Sequence, residues 1–212
     1  MTAFATLLRA APLIPVITID DAEKAEPLAL ALRAGGLRNL EVTLRTPDAI
    51  EAIRLMKRAA PDLQVGAGTV LTDGDVDASL AAGADFLVTP GTSPRLREAL
   101  LATGAHVMVG VATATEVMSR LEEGFSILKF FPAEQSGGAA ALKSFGGPLP
   151  YALFCPTGGV TPELVPSYLA LPNVVAVGGT WIATREQIAA GDWDTITANA
   201  ARATALGEAA RR

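Results

Sequence analysis

Of the four lysines in the chain, one stands where an ammonium is costly to keep. Lys129 lies inside Phe125-Ser-Ile-Leu-Lys-Phe-Phe-Pro-Ala133, an apolar, β-branched and aromatic run too short for a free-standing helix. Such a run reads as a buried strand, with Phe125, Ile127, Lys129 and Phe131 on one face and Ser126, Leu128 and Phe130 on the other. A charged amine among those neighbours must be paired or neutral, so Lys129 reads as a reacting amine. The plain alternative is a strand-end lysine reaching for water. Lys24, Lys57 and Lys143 fall in segments that read as surface helices.

The stretch Asn39-Leu-Glu-Val-Thr-Leu-Arg45 carries the groups such an amine needs. Alternation sorts Leu40, Val42 and Leu44 to an outer apolar face, and Glu41, Thr43 and Arg45 to an inner one. Glu41 and Arg45 bracing the interior as a mutual ion pair is the structural alternative. With Lys129 facing the same space, three ionisable groups of both signs converge, which suits amine catalysis. A neutral lysine attacks a carbonyl, and the resulting iminium draws electrons from the neighbouring carbon–carbon bond. Glu41 would shuttle protons, and Arg45 would hold a substrate carboxylate in a two-pronged grip. Gly66-Ala-Gly68-Thr69 is a glycine-rich strand end where Thr69 is available to a carboxylate; Pro90 and Phe131 can wall the carbonyl end.

Two glycine pairs close later strands, Thr157-Gly158-Gly159 and Gly178-Gly179-Thr180. Glycines there let backbone N–H groups come close to a phosphate, and Thr180 adds a hydroxyl. Ordinary strand-to-helix turns are the alternative reading.

The elements that must position these groups repeat as strand then helix. After a leading helix, strands are expected at Leu13–Ile19, Asn39–Leu44, Gln64–Val70, Phe86–Pro90, His106–Val111, the Lys129 run, Ala152–Thr157 and Asn173–Val177. Helix starts are signalled at Asp20-Asp21, Thr46-Pro47-Asp48, Asp73, Ser93-Pro94, Thr113 and Thr161-Pro162-Glu163. Two further helices close the chain. Eight such units with short connections predict one α/β domain over residues 1–212, a single (β/α)8 TIM barrel with an N-terminal helix. An open doubly wound sheet would call for a nucleotide fingerprint after strand one, and Ile19-Asp20-Asp21 is not one.

Composition bounds the function. The 212 residues are 50% hydrophobic and 18% charged, with a net charge of −5. No basic run is longer than two residues, Arg211-Arg212 at the end included, which argues against nucleic acid and anionic membranes as partners. One cysteine, Cys155, permits no intrachain disulfide and suits a reducing compartment. One histidine, His106, starts a strand at the end away from the expected site, and with Cys155 is too little for the usual zinc sites. Cys155 reads as a core thiol, and Trp181 and Trp193 as packing residues after the last strand. Met1 to Ile19 reads as a helix and a strand, not a signal peptide, so a soluble, cytoplasmic protein is expected.

The motifs Leu-Glu41-Val-Thr-Leu-Arg45-Thr, Val-Gly-Ala-Gly-Thr69-Val, Val-Thr89-Pro90-Gly, Ile-Leu-Lys129-Phe-Phe131-Pro-Ala, Pro-Thr157-Gly-Gly-Val and Val-Gly178-Gly-Thr180-Trp resemble those of the 2-keto-3-deoxy-6-phosphogluconate (KDPG) aldolases. They run in the family's order over strands two to eight. The resemblance implies a trimeric, cofactor-free class I aldolase releasing pyruvate and glyceraldehyde 3-phosphate. It implies a Schiff base on Lys129, acid/base work by Glu41, and pyruvate contacts from Arg45, Thr69, Pro90 and Phe131. It sets Thr157 near the reacting end and the phosphate at Gly158, Gly159, Gly178, Gly179 and Thr180, where the family more often has serine. Rivals are the same chemistry on the galactonate epimer or on 4-hydroxy-2-oxoglutarate, a metal-dependent barrel enzyme, which one histidine disfavours, and a non-enzymatic phosphate-ligand-binding barrel.

Overall fold

The computed structural model describes residues 2–210, so Met1 and the terminal Arg211 and Arg212 lie outside the described residues. The chain begins with α1 (Ala3–Ala10), then β1 (Leu13–Ile17), a 3-10 turn at Ala22–Lys24, α2 (Ala25–Ala34), β2 (Asn39–Thr43), α3 (Ala49–Ala59) and β3 (Gln64–Gly68). It continues through α4 (Asp73–Ala81), β4 (Phe86–Val88), α5 (Pro94–Thr103), β5 (His106–Val111), α6 (Ala114–Glu122) and β6 (Ile127–Phe130). The last units are α7 (Gly138–Phe145), β7 (Leu153–Pro156), α8 (Val165–Leu169), β8 (Val177–Gly179), a 3-10 turn at Thr180–Ile182, α9 (Arg185–Ala190) and α10 (Trp193–Ala209).

All paired strands are parallel, in the order β7-β6-β5-β4-β3-β2-β1-β8. Bridges Phe154↔Val174 and Thr157↔Gly178 bring the two edges together and close the barrel. The expected TIM barrel is therefore the fold. Helix entries are fixed by side chains that take orphan N–H groups. Thr72, Thr113 and Thr184 form capping boxes on α4, α6 and α9, and Ser93 caps α5 ahead of Pro94, each worth about 1 kcal/mol.

Alternation divides the apolar residues into two cores. Leu40, Val42, Val65, Leu87, Val109, Leu128 and Phe130 belong to the belt between strands and helices. Ile14, Phe86, Val88, Met108, Ile127, Cys155 and Val175 fill the barrel, joined by Phe4, Ala5 and Leu8 of α1. The leading helix is thus a plug at the amino-terminal mouth, where Phe4 stacks on His106 with ring centroids 4.6 Å apart. His106 stands at that end, as expected.

Two expectations are corrected. Phe125 packs in the outer belt, not on the Lys129 face: Gly124 turns the chain at φ 95°, and pairing starts only at Ile127, which resets the alternation. The last strand is Val177–Gly179 and not Asn173–Val177, because pairing with β1 begins at Leu13↔Val177. The second glycine pair therefore lies inside a strand. Other ends differ by a few residues: Pro47 precedes the Asp48 N-cap of α3, and α8 starts after the turn at Pro162–Leu164. No helix of the described residues is long and apolar enough to cross a membrane.

Candidate active site

Lys129 and Glu41 face each other across the barrel interior. β2 and β6 are four strands apart, yet Lys129 Nζ donates to Glu41 Oε1 at 3.0 Å. Their side chains are 4% and 3% exposed, so water screens the pair little. Taking two charges from water costs more than such a pair returns in many proteins, which makes it a poor stability device and a good proton relay. Room for the carboxylate comes from β3: a Cβ on Gly68 would stand 2.1 Å from Glu41 Oε1. The Phe131 ring lies 5.3 Å from the amine. Cys155 is the register partner of Lys129 on β7. Burial, with the Glu41 carboxylate adding and Lys129 opposing, pushes its thiol up to about 12. A protonated thiol leaves the amine as the nucleophile of this layer.

Arg45, expected on the inner face with Glu41 and Lys129, lies past the end of β2 and is exposed, and the alternative of a Glu41–Arg45 ion pair is not found among the described residues. Arg45 reaches out of the carboxyl-terminal mouth, and its Nε donates to Thr69 Oγ1 at 3.1 Å. Thr69 holds φ 59°, a left-handed backbone that a β-branched residue adopts at a cost of about 1–3 kcal/mol. Pro90 follows β4 and is half-buried; its carbonyl tucks against Gly110, where a Cβ would come within 2.0 Å of it.

The two glycine pairs do different work. Gly158 and Gly159 have φ of 102° and 77°, backbone that favours glycine, and both are reachable from solvent. Gly178 and Gly179 are glycines for room: a Cβ would stand 2.4 Å from Thr157 Oγ1 and 2.6 Å from Trp181 Nε1, respectively. Thr157 is buried by that arrangement, while Thr180 is exposed at the start of the 3-10 turn. Trp181 and Trp193 pack on the outer belt.

Arg45 and Thr180 line one cavity of about 440 Å³, together with Thr18, Trp181, Thr184 and Arg185. Thr18 and Arg185 were not singled out from the sequence. Thr18 continues the inward face of Ile14 and Val16, so alternation along β1 was the available signal. Arg185, joined to Asp20 by a two-pronged ion pair, follows an irregular loop where no period applies. Among the described residues, no cluster of three or more His, Cys, Asp or Glu side chains is placed to hold a metal ion.

Every polar group described here sits at or beyond the carboxyl end of a strand or one layer beneath it, where barrels of this kind carry their chemistry. A family model for KDPG and KHG aldolase matches residues 4–199. The chain is 48% identical over 191 residues to a 2-dehydro-3-deoxy-phosphogluconate aldolase of Pseudomonas aeruginosa, covering 90% of this chain and 87% of that one. It is 46% identical over 207 residues to the enzyme of that name from Zymomonas mobilis, covering 97% of each. Among solved structures, the KDPG aldolase of Legionella pneumophila, with pyruvate captured as a covalent carbinolamine, matches with a TM-score of 0.91. That match has 43% identity and covers 96% of this chain and 98% of that one. With the barrel, the buried amine–carboxylate pair and these matches together, the chain belongs to the KDPG and KHG aldolase family.

Proposed function

We propose that the protein is a class I aldolase that cleaves 2-keto-3-deoxy-6-phosphogluconate to pyruvate and glyceraldehyde 3-phosphate, the whole chain forming one catalytic domain. The observation that carries this reading is the buried Lys129–Glu41 contact of 3.0 Å. Glu41 takes a proton from Lys129, and the neutral amine adds to C2 of the substrate. The carbinolamine oxygen then leaves as water with a proton returned by Glu41, giving an iminium. Glu41 removes the C4 hydroxyl proton, the C3–C4 bond breaks, and its electron pair enters the iminium to give an enamine and the aldehyde. Protonation at C3 and addition of water release pyruvate and restore Lys129.

Arg45 and Thr69 hold the C1 carboxylate, and Pro90 and Phe131 wall the pyruvyl end. Thr157 meets the C4 hydroxyl. The phosphate is received at Gly158 and Gly159 and at the end of β8, by Gly178, Gly179 and Thr180, with Gly178 also clearing space for Thr157. The assembly is a homotrimer, a reading supported by the exposed apolar side chains of Leu71, Leu101 and Met118 on three successive strand-to-helix units. Light scattering should give three times the 21.8 kDa chain mass. The buried free thiol of Cys155 suits work in the cytoplasm.

The cleavage assay couples released pyruvate to NADH oxidation by lactate dehydrogenase, with a chelator present. Turnover is expected to persist under chelation and to vanish in Lys129→Gln. Loss of wild-type turnover that only a divalent ion restores would overturn the amine mechanism.

A further inference from the structure

Within the proposed aldolase reaction, on which this step rests, we infer that Thr18 is a specificity residue that accepts a hydrogen bond from the substrate's C5 hydroxyl. The direction of its bonds carries the inference. Thr43 Oγ1 donates to the Ile17 carbonyl at 2.8 Å, which uses the only hydroxyl proton Thr43 has. The 3.0 Å contact between Thr18 Oγ1 and Thr43 Oγ1 therefore has Thr18 as donor. Among the described residues no other hydrogen bond reaches Thr18 Oγ1. Its proton is committed, and it offers the cavity lone pairs only. A group bound there must be a donor, such as an alcohol; a carboxylate has no proton to give near neutral pH, and a phosphate monoester, whose second pKa is about 6, is mostly the dianion.

Position selects which alcohol. In the sheet order β1 lies between β2, which leads into Arg45, and β8, which leads into Thr180, and all three residues line the same cavity. A substrate with its C1 carboxylate on Arg45 and its C6 phosphate at Thr180 passes Thr18 with its middle. The C4 hydroxyl loses its proton at cleavage and belongs to Glu41 and Thr157. The C5 hydroxyl is the remaining donor. An acceptor-only threonine also explains discrimination: an aldehyde without that hydroxyl leaves the lone pairs unanswered, and one with inverted geometry aims its proton elsewhere.

The test runs in the addition direction, with pyruvate and either glyceraldehyde 3-phosphate or 3-oxopropyl phosphate, which lacks the 2-hydroxyl that becomes O5. Thr18→Val keeps shape and leaves the Thr43 bond to Ile17 in place. It should lower kcat/KM for glyceraldehyde 3-phosphate about tenfold, and that for 3-oxopropyl phosphate by less than twofold. Thr18→Ser should restore the wild-type preference. Equal loss on both aldehydes, no loss on either, or failure of serine to restore the preference would overturn the assignment. Borohydride trapping of pyruvate on the same proteins separates the two readings. A trapped adduct without aldehyde discrimination sinks Thr18 alone, while no adduct on the wild-type enzyme removes the aldolase reaction and this step with it.

Discussion

A carboxylate 3.0 Å from a buried amine can hold its charge or carry its proton, and substitution tells these apart. Glu41→Gln keeps the size and a hydrogen-bonding oxygen but cannot carry protons, so kcat should fall about 10²- to 10⁴-fold. Near-native kcat in that variant would make the carboxylate structural. The pair also changes how the amine should be removed. Lys129→Ala strands a buried carboxylate, and breaking such a pair costs about 3–5 kcal/mol. Lys129→Gln keeps a donor for Glu41 and is the better inactive variant. Lys129 and Glu41 were legible in the sequence because each is a charge on an alternating apolar strand, whereas the same alternation carried too far set Arg45 inward, two residues past the end of β2. The sequence also set Glu41 beside Lys129 as its proton shuttle, but not their direct hydrogen bond, because that contact joins strands four apart across the barrel. Thr18 was missed because a threonine at a strand end carries no charge to draw notice.

At the scale of elements, the glycines explain how the strands come close enough to work. Gly68 leaves space for the Glu41 carboxylate, Gly178 for Thr157, and Gly110 for the Pro90 carbonyl. Gly68→Ala should displace Glu41 by a fraction of its length. Overpacking of this kind costs about 1–3 kcal/mol, so the protein should still fold. Misplacement near 1 Å costs about 10²-fold in rate, so kcat should fall by that order while circular dichroism keeps its native form. Unchanged kcat in a folded Gly68→Ala would show that the carboxylate tolerates movement. The sequence marked the glycine-rich strand ends but not their reasons, because what a glycine makes room for lies on another strand. The same limit displaced β8: Gly178 and Gly179 read as strand-ending turns, whereas pairing with β1 carries the strand through them.

For the molecule as a whole, buried titratable side chains in both cores link stability to pH. The Cys155 thiol ionises near 9.0 when exposed and is held up to about 12 in the fold, by burial first. The Tyr168 hydroxyl, buried and donating to Glu134, is also raised. From about pH 9 upward the unfolded chain loses protons that the folded chain keeps, so stability falls as pH rises. The Cys155 share of that slope approaches about 1.4 kcal/mol per pH unit. Melting curves from pH 8 to 11 should therefore decline less steeply for Cys155→Ala than for the wild type, and parallel curves would contradict this. The barrel itself was legible from eight strand-then-helix units, whose repetition survives errors at single boundaries. The packing of α1 into the barrel mouth was not, because an amphipathic helix does not say which surface it covers.

The central claim is that Lys129 alone forms the imine. Lys24 and Lys143 lie on the outer helical layer, and Lys57 is tied to Asp85 at 2.7 Å. The direct measurement is the mass of the protein after incubation with pyruvate and borohydride, followed by peptide mapping. One reduced pyruvate per chain is expected, on the peptide containing Ile127-Leu-Lys-Phe130, and none in Lys129→Gln. A label on Lys24, Lys57 or Lys143, or an unlabelled wild-type protein that still cleaves substrate, would contradict the mechanism.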